Sequence, residues 1–396
     1  MRILYHHRTA SKDGQAVHIE EMIEALRGLG HEVRVVAPAV GGEGEGRMGG
    51  GVGWVHRLKA VLPRALYELM ELGYSLVAYR RLMAAAREFQ PDAIYERYNL
   101  FLLAGVMARR KLGLPLLLEV NAPLVHEREQ HSGGLSLKRL GRWAEGVAWR
   151  GADAVLPVTA VLAGHVKAYG VPPERIHVLH NGINHAHFAS APEPEAAKAA
   201  LGLQGRLVLG FTGFVREWHG VDRIIDWMAT PDAPPQAHLL MVGDGPVRAA
   251  LEAQAARLGL SARVGFTGVV HRDAVPAHVA AFDIALQPAV TPYASPLKLI
   301  EYLALGKAVV APATPNLMEL LTHEVNALLF DEHQPGGLEA ALTRLCGDAA
   351  LRERLGRGSA QTIDRLDLTW TGNARRVEAL ARAARAADQP QGRVTA

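Results

Sequence analysis

The sequence predicts an α/β protein built from two doubly wound, Rossmann-like domains facing across a cleft. Three observations carry this reading. Short apolar runs alternate with helical patterns along nearly the whole chain. That rhythm restarts after a polar, alanine-rich stretch, PEPEAAKAA at 192–200. The chain has 396 residues, 49% of them hydrophobic, which exceeds what one core usually holds and suffices to fill two. The expected division is 1–188, a linker at 189–200, 201–367, a last helix over 368–388 and a disordered tail at 389–396.

In order, ILYHH and EVRVVAP read as strands flanking a helix from about His18 to Leu29, with Gly30 suited to its C-terminus. GGEGEGRMGGGVG at 41–53 is too glycine-rich to pack and reads as a mobile loop. DAIYER, PLLLEV and DAVLPVT follow as buried strands, and RIHVLHNGI closes the first domain. The second set begins at RLVLGFTG and continues through HLLMVGDG, ARVGFTG, FDIALQP and KAVVAP. LTWTGNARRVEALARAAR, from Leu368, is the last helical pattern.

Two segments carry the chemistry. In YASPLKLIEYLALGKAVVAP, residues 293–312, Pro296 suits the first turn of a helix, whose free N-terminal amides, with Lys298 beside them, favour an anion. Glu301 lies further along the same helix, within reach of ribose hydroxyls. The plain alternative makes Glu301 a surface carboxylate and Lys298 a solvated lysine. In LVLGFTGFVREWHGVDRIIDWM, residues 207–228, an apolar run leads into Gly213, a loop carries Arg216 and His219, and Gly220 precedes an amphipathic helix. Between them, HLLMVGDGP adds Gly243 and Gly245. Two such loops in one domain imply a shared phosphate-bearing ligand.

These segments, with MRILYHHRTASKDGQAVHIEEMIEALRGLGHEVRVVAP at 1–38, resemble the retaining glycosyltransferases of family 4, which have the GT-B fold. The resemblance spans nearly the whole chain. It implies that Glu301 binds the nucleotide ribose, that the amides of Ser295, Pro296, Leu297, Lys298 and Leu299 surround the diphosphate, and that Arg216 and His219 face it from the other loop. It implies that Gly14 belongs to the glycine loop where donor and acceptor meet, that His126 contacts the donor sugar, and that the last helix crosses back onto the first domain, with Trp370 as an anchor. Three positions depart from the pattern. Tyr293 stands eight residues before Glu301, where a second glutamate is common. His219 replaces a lysine, which opens diphosphate contact to pH. Gly14 stands alone where a pair of glycines is common.

PLLLEVNAPLVHERE, residues 115–129, ends an apolar strand in polar side chains, where open α/β sheets place ligands. Glu119, Asn121, His126 and Glu127 are candidates there, with Asn121 a rival to His126. Glu119 has a structural alternative, pairing with Arg97 of YERYN. His6, His7 and Arg8 add to the same rim.

Other classes fit less well. Gly14 is outside any GxGxxG run, which weighs against a dehydrogenase. No zinc-finger spacing or aromatic-interleaved basic patch suggests nucleic acid. One cysteine, Cys346, excludes an intrachain disulfide and reads as a packed helix residue. The histidines lack metal-ligand spacing and DxD is absent, so neither a metal nor another cofactor is expected and helix amides, Arg216 and Lys298 supply the charge instead. No apolar run reaches the ~18 residues of a membrane span, and MRILYHH reads directly as a strand, so a cytoplasmic location is expected. Net charge is +3, but Arg57, Lys59, Arg64, Arg80, Arg81 and Arg87 against Glu68 and Glu71 form a basic, apolar-interspersed stretch. It is either a solvated helix face or a contact with the inner face of an anionic membrane.

The reaction that the resemblance implies is retaining transfer from a UDP- or GDP-sugar, the donor substrate, to a saccharide or lipid-linked acceptor of the cell envelope. The alternative is a catalytically silent nucleotide-sugar binding protein, motivated by Tyr293.

Overall fold

The computed structural model describes residues 1–9, 14–38, 62–131 and 134–388. The chain divides into two units, Met1–His180 joined by the segment from Trp370 onward, and Asn181–Thr369.

In the first unit β1 (Arg2–His6), α1 (Gly14–Gly28), β2 (Glu32–Val36), α2 (Arg64–Phe89), β3 (Ala93–Arg97), α3 (Ala104–Leu112), β4 (Leu116–Val120), α4 (Leu124–His131), α5 (Lys138–Arg150), β5 (Ala154–Pro157) and α6 (Ala160–Ala168) follow one another. The five strands are parallel in the order β2-β1-β3-β4-β5. Strands β3, β4 and β5 are buried along their whole length; β4 and β5 therefore read as near-continuous apolar runs, whereas β3 carries the buried Glu96 and Arg97. RIHVLHNGI forms no strand of its own. Its His177 and Leu179 N–H groups donate to Val155 and Pro157 along the free edge of β5.

The second unit contains α7 (His185–Phe188), α8 (Pro194–Ala200), β6 (Leu207–Thr212), α9 (Val221–Met228), β7 (Ala237–Val242), α10 (Arg248–Arg257), β8 (Val264–Phe266), α11 (Val275–Ala280), β9 (Ile284–Leu286), α12 (Leu297–Ala304), β10 (Ala308–Pro312), β11 (Ala327–Phe330), α13 (Gly337–Gly347) and α14 (Ala349–Leu366). Its six parallel strands run β11-β10-β9-β6-β7-β8. Alternation along each strand feeds two cores. Leu209, Phe211, Leu239 and Met241 pack on one face, and Val208, Leu240, Val242 and Ala285 on the other. The chain winds outward from β6 to β8, then returns to the other side of β6 as β9. The crevice between the carboxyl ends of β6 and β9 is therefore the switch point where such sheets accept ligands.

A final helix, α15 (Trp370–Asp388), returns to the first unit. Buried Trp370 meets the edge of His18 on α1 at 4.7 Å, and Asn373 Nδ2 donates to the carbonyl of His180 at 2.7 Å.

Three sequence expectations are affected. The chain divides at His180–Asn181, ahead of the expected linker at 189–200, and Pro194–Ala200 is a helix with Ala197 and Lys198 buried. Lys198 is held there by Asp283 at 2.9 Å, so a stretch that looked polar is tied to the sheet. The glycine-rich 41–53 segment, Arg57, Lys59 and the tail lie outside the described residues. Glu68 and Glu71, set against the arginines in the charge count, are buried. Glu68 accepts from the Ser136 and Leu137 N–H groups at the start of α5, and Glu71 binds Arg128 at 2.6 Å.

Candidate functional site

At the switch point of the second unit, β6 delivers the chain to Gly213, whose φ of +117° favours glycine. Its N–H donates to Val242, and the Val215 N–H donates to Asp244, so the loops after β6 and β7 lie against each other. A Cβ at Gly243 would stand 2.2 Å from the Gly213 carbonyl oxygen, and one at Gly245 only 1.9 Å from that of Val215. Loop-on-loop packing thus already demands glycine at both positions expected to face a ligand.

Lys298, one residue into α12, leans over this loop. Its Nζ lies 3.6 Å from the centroid of the Phe211 ring and 3.4 Å from where a Cβ on Gly213 would be. Enclosure by protein pulls the ammonium's pKa down to about 7, with Glu301 offsetting part of the fall. One helical turn further on, burial pushes the Glu301 carboxyl up to about 7 against the charges of Lys298 and Arg272. Neither is the solvated surface residue of the plain alternative.

The segment leading into α12 is held from below. Asn316 Nδ2 donates to the carbonyls of Thr291 and Ala294, and Asn181 Nδ2 donates to that of Ser295, whose hydroxyl accepts from the Asn181 N–H. Pro296 caps the helix with extended backbone, leaving the first-turn amides of Leu297 and Lys298 without intrahelical partners. Leu299 is buried, its N–H returned to Pro296. Tyr302 turns inward, and its hydroxyl accepts from the Thr212 N–H at 2.9 Å, pinning the end of β6 to α12. Tyr293 is buried in the loop before the helix.

His219 departs from expectation. Its Nδ1 accepts from the Arg216 N–H at 2.9 Å, its ring stacks on Trp218 with centroids 3.8 Å apart, and it meets Phe211 edge-on at 5.1 Å. Burial, with the nearby charge of Lys298, lowers its pKa to about 3. It is therefore neutral with its hydrogen on Nε2, and the anticipated pH dependence at this residue is not supported. Arg216 is exposed, with its guanidinium 5.1 Å over the Phe214 ring. It lines a groove of about 360 Å3 between α9 and α10 with Glu217, Asp222 and Gln254. Gly220 follows with φ of +68° and starts α9.

In the first unit, Arg97 and Glu119 are register partners on adjacent parallel strands, so both side chains emerge on one side of the sheet and form a buried ion pair. Glu119 also accepts from Tyr95 Oη at 2.7 Å and lies 3.0 Å from His18 Nε2. Burial opposes its ionisation, but the charges of His18 and Arg97 win and hold it far below the usual carboxylate range. The structural alternative for Glu119 is the one observed, with Asn121 as a further donor to it. His6 and Glu96 repeat the logic one strand over, as register partners bonded through Nδ1. His7, just beyond β1, is driven down to about 4 by burial beside His6. His126 is exposed on the first turn of α4, 5.8 Å from the His165 ring, with Glu127 next to it on the same helix. Glu145 accepts from the Val125 N–H beneath that turn and from Tyr98 Oη at 3.0 Å. Gly14 is the first residue of α1.

Sequence reasoning missed Phe211, Tyr302, Asn316, His18 and Glu145. Apolar or scattered in the sequence, they acquire their roles only when strands and loops distant along the chain are brought together. Among the described residues, no three His, Cys, Asp or Glu side chains converge as a metal site would require.

Family models match both parts of the chain: the Glycosyl transferase 4-like domain over residues 13–182 and Glycosyl transferases group 1 over residues 194–362. The chain is 29% identical over 335 residues to the 2-deoxystreptamine N-acetyl-D-glucosaminyltransferase of Streptomyces fradiae, covering 78% of each. It is 25% identical over 363 residues to the GDP-mannose-dependent alpha-mannosyltransferase of Mycolicibacterium smegmatis, covering 90% of each. The crystal structure of Anabaena Alr3699/HepE in complex with UDP shares the fold, with a TM-score of 0.75 at 19% identity over 97% of this chain and 100% of that one.

Proposed function

From the premise that the chain belongs to the glycosyl transferases group 1 and has the GT-B fold, we propose that this glycosyltransferase moves a sugar from a UDP- or GDP-sugar to a saccharide or lipid-linked acceptor with retention at the anomeric carbon. The observation that carries the donor assignment is the Lys298 ammonium, held beside Gly213 at the amide-rich start of α12. As the bond from the anomeric carbon to the diphosphate oxygen breaks, its electrons pass to that oxygen. The Lys298 charge, the amides of Leu297 and Lys298 and the neutral Nε2–H of His219 then stabilise the leaving group. Arg216, exposed on the neighbouring loop, is proposed to add a second cation. The acceptor oxygen forms the new bond to carbon, and its proton leaves with the diphosphate. Glu301 accepts from the ribose hydroxyls, and His126 orients the transferring sugar.

Both bases stay in the proposal, because the Mycolicibacterium relative is named for GDP-mannose and the Anabaena structure holds UDP. An envelope acceptor, reached from the cytoplasm at the inner membrane face, is favoured by α2. Its outer face exposes Leu66, Leu69, Met70, Leu76 and Val77, with Arg80, Arg81 and Arg87 exposed further along. No helix of the described residues is long and apolar enough to cross a membrane, so peripheral contact is the form proposed. Tyr293, buried where a second glutamate is common, keeps a silent nucleotide-sugar binder as the second reading.

A thermal-shift panel of nucleoside diphosphates and their sugar conjugates tests the site. A bound nucleotide at a hundredfold excess over its Kd adds about 2.7 kcal/mol to apparent stability. UDP or GDP should raise the melting temperature of the wild type, and Lys298→Ala should lose most of the rise. A panel without a shift, or a shift that survives Lys298→Ala intact, contradicts the assignment.

A further inference from the structure

We propose that Phe211 is a positioning residue of the donor site: the face of its ring holds the Lys298 ammonium toward the diphosphate, and its edge fixes the plane of His219. The inference rests on the diphosphate reading above and adds a residue that neither the motifs nor the resemblance singled out.

Phe211 is fully buried and packs in the same core cluster as Leu209 and Met241. A core phenylalanine needs no cation, yet here the Lys298 Nζ stands 3.6 Å from the ring centroid and the His219 ring meets it at 5.1 Å with planes 72° apart. Both groups proposed to face the diphosphate thus rest on one ring. That ring cannot drift. It is paired in the sheet to Met241, and the next residue is bonded through its N–H to Tyr302 Oη.

The chemistry explains why an aromatic ring occupies this place. Burial favours the neutral amine, so a group that steadies the cation is needed before any anion arrives. A carboxylate in contact with Nζ would do so, but it would neutralise the lysine and repel an incoming diphosphate. The negative face of an aromatic quadrupole stabilises an ammonium without carrying net charge, and its effect grows when water is excluded. Phe211 thereby favours the charged form of Lys298 against burial, alongside the more distant Glu301, and leaves that charge directed to the ligand.

The test replaces Phe211 in the full-length protein with 4-fluoro-, 3,5-difluoro- and 3,4,5-trifluorophenylalanine, which hold ring size nearly constant while draining the negative face. Calorimetric titration with UDP and with GDP at several pH values supplies the readout, and the melting temperature of the free protein controls for packing. Affinity should fall stepwise along the series, about tenfold by the trifluoro ring. The pH above which binding weakens should move down in parallel. A flat series in which Lys298→Ala still lowers affinity would overturn the role of Phe211 while leaving the diphosphate site standing. If Lys298→Ala leaves affinity unchanged, the diphosphate reading fails and the inference falls with it.

Discussion

Lys298 and Glu301 sit one helical turn apart, and burial pushes both toward neutrality, each to about 7. A diphosphate beside Lys298 favours the charged form, so binding above pH 7 must take up a proton. Wild-type affinity for UDP or GDP should decline by up to about tenfold per pH unit above 7. Lys298→Arg, which stays charged, should bind with a flat profile from pH 7 to 9, and titration calorimetry across that range checks both. Glu301 acts on stability in the same direction with rising pH. Its folded pKa lies above the unfolded one, so its contribution is complete below about 4.5 and is lost as pH rises through about 7. Glu301→Gln, neutral at every pH, should therefore melt higher than wild type at pH 8 while binding nucleotide roughly tenfold or more weakly. A variant that melts lower and binds equally well would remove Glu301 from the site. Residue identity was legible in the sequence where chemistry announces itself, as with Lys298 beside a helix start. His219 shows the limit. Its sequence position suggested a titrating donor, but the backbone N–H of Arg216 and the aromatic walls that keep it neutral come from folding.

At the scale of elements, parallel strands were the easiest feature to read, because burial on both faces leaves them almost wholly apolar. Short elements were harder. Pro194–Ala200 looked like linker because its alanines and charges are ambiguous, and only the buried Lys198–Asp283 pair makes it part of the second unit. Helix α2 was misjudged differently. A charge count treats Glu68 and Glu71 as neutralising the arginines, whereas the fold turns both inward and leaves a face of leucines leading to arginines. That face makes a prediction of its own. The protein should co-sediment with vesicles containing anionic lipid at physiological salt, and Leu69→Glu with Leu76→Glu should weaken binding by about tenfold or more, since each leucine buries roughly 1.5 kcal/mol or more of apolar surface. Equal sedimentation of variant and wild type, or none by either, would remove α2 as a membrane contact.

Across the whole molecule, the chain builds one parallel sheet, leaves it after His180 to build a second, and returns at Trp370 to pack α15 on α1. The repeated αβ rhythm made this double architecture visible, and the final helix was anticipated through resemblance. The distribution of chemistry between the units was less visible. The second unit gathers Lys298, Gly213, His219 and Phe211 at its switch point, while the strand ends of the first hold a buried, internally paired set around Glu119. The proposed reaction has this arrangement breaking the anomeric bond of a UDP- or GDP-sugar with retention. Water can serve as acceptor when no other is supplied, so the most direct measurement is NMR of the sugar first released from α-linked UDP- and GDP-sugars, recorded before mutarotation. Retaining transfer releases the α-anomer first, formed by the wild type and lost in Lys298→Ala; initial release of the β-anomer would contradict it.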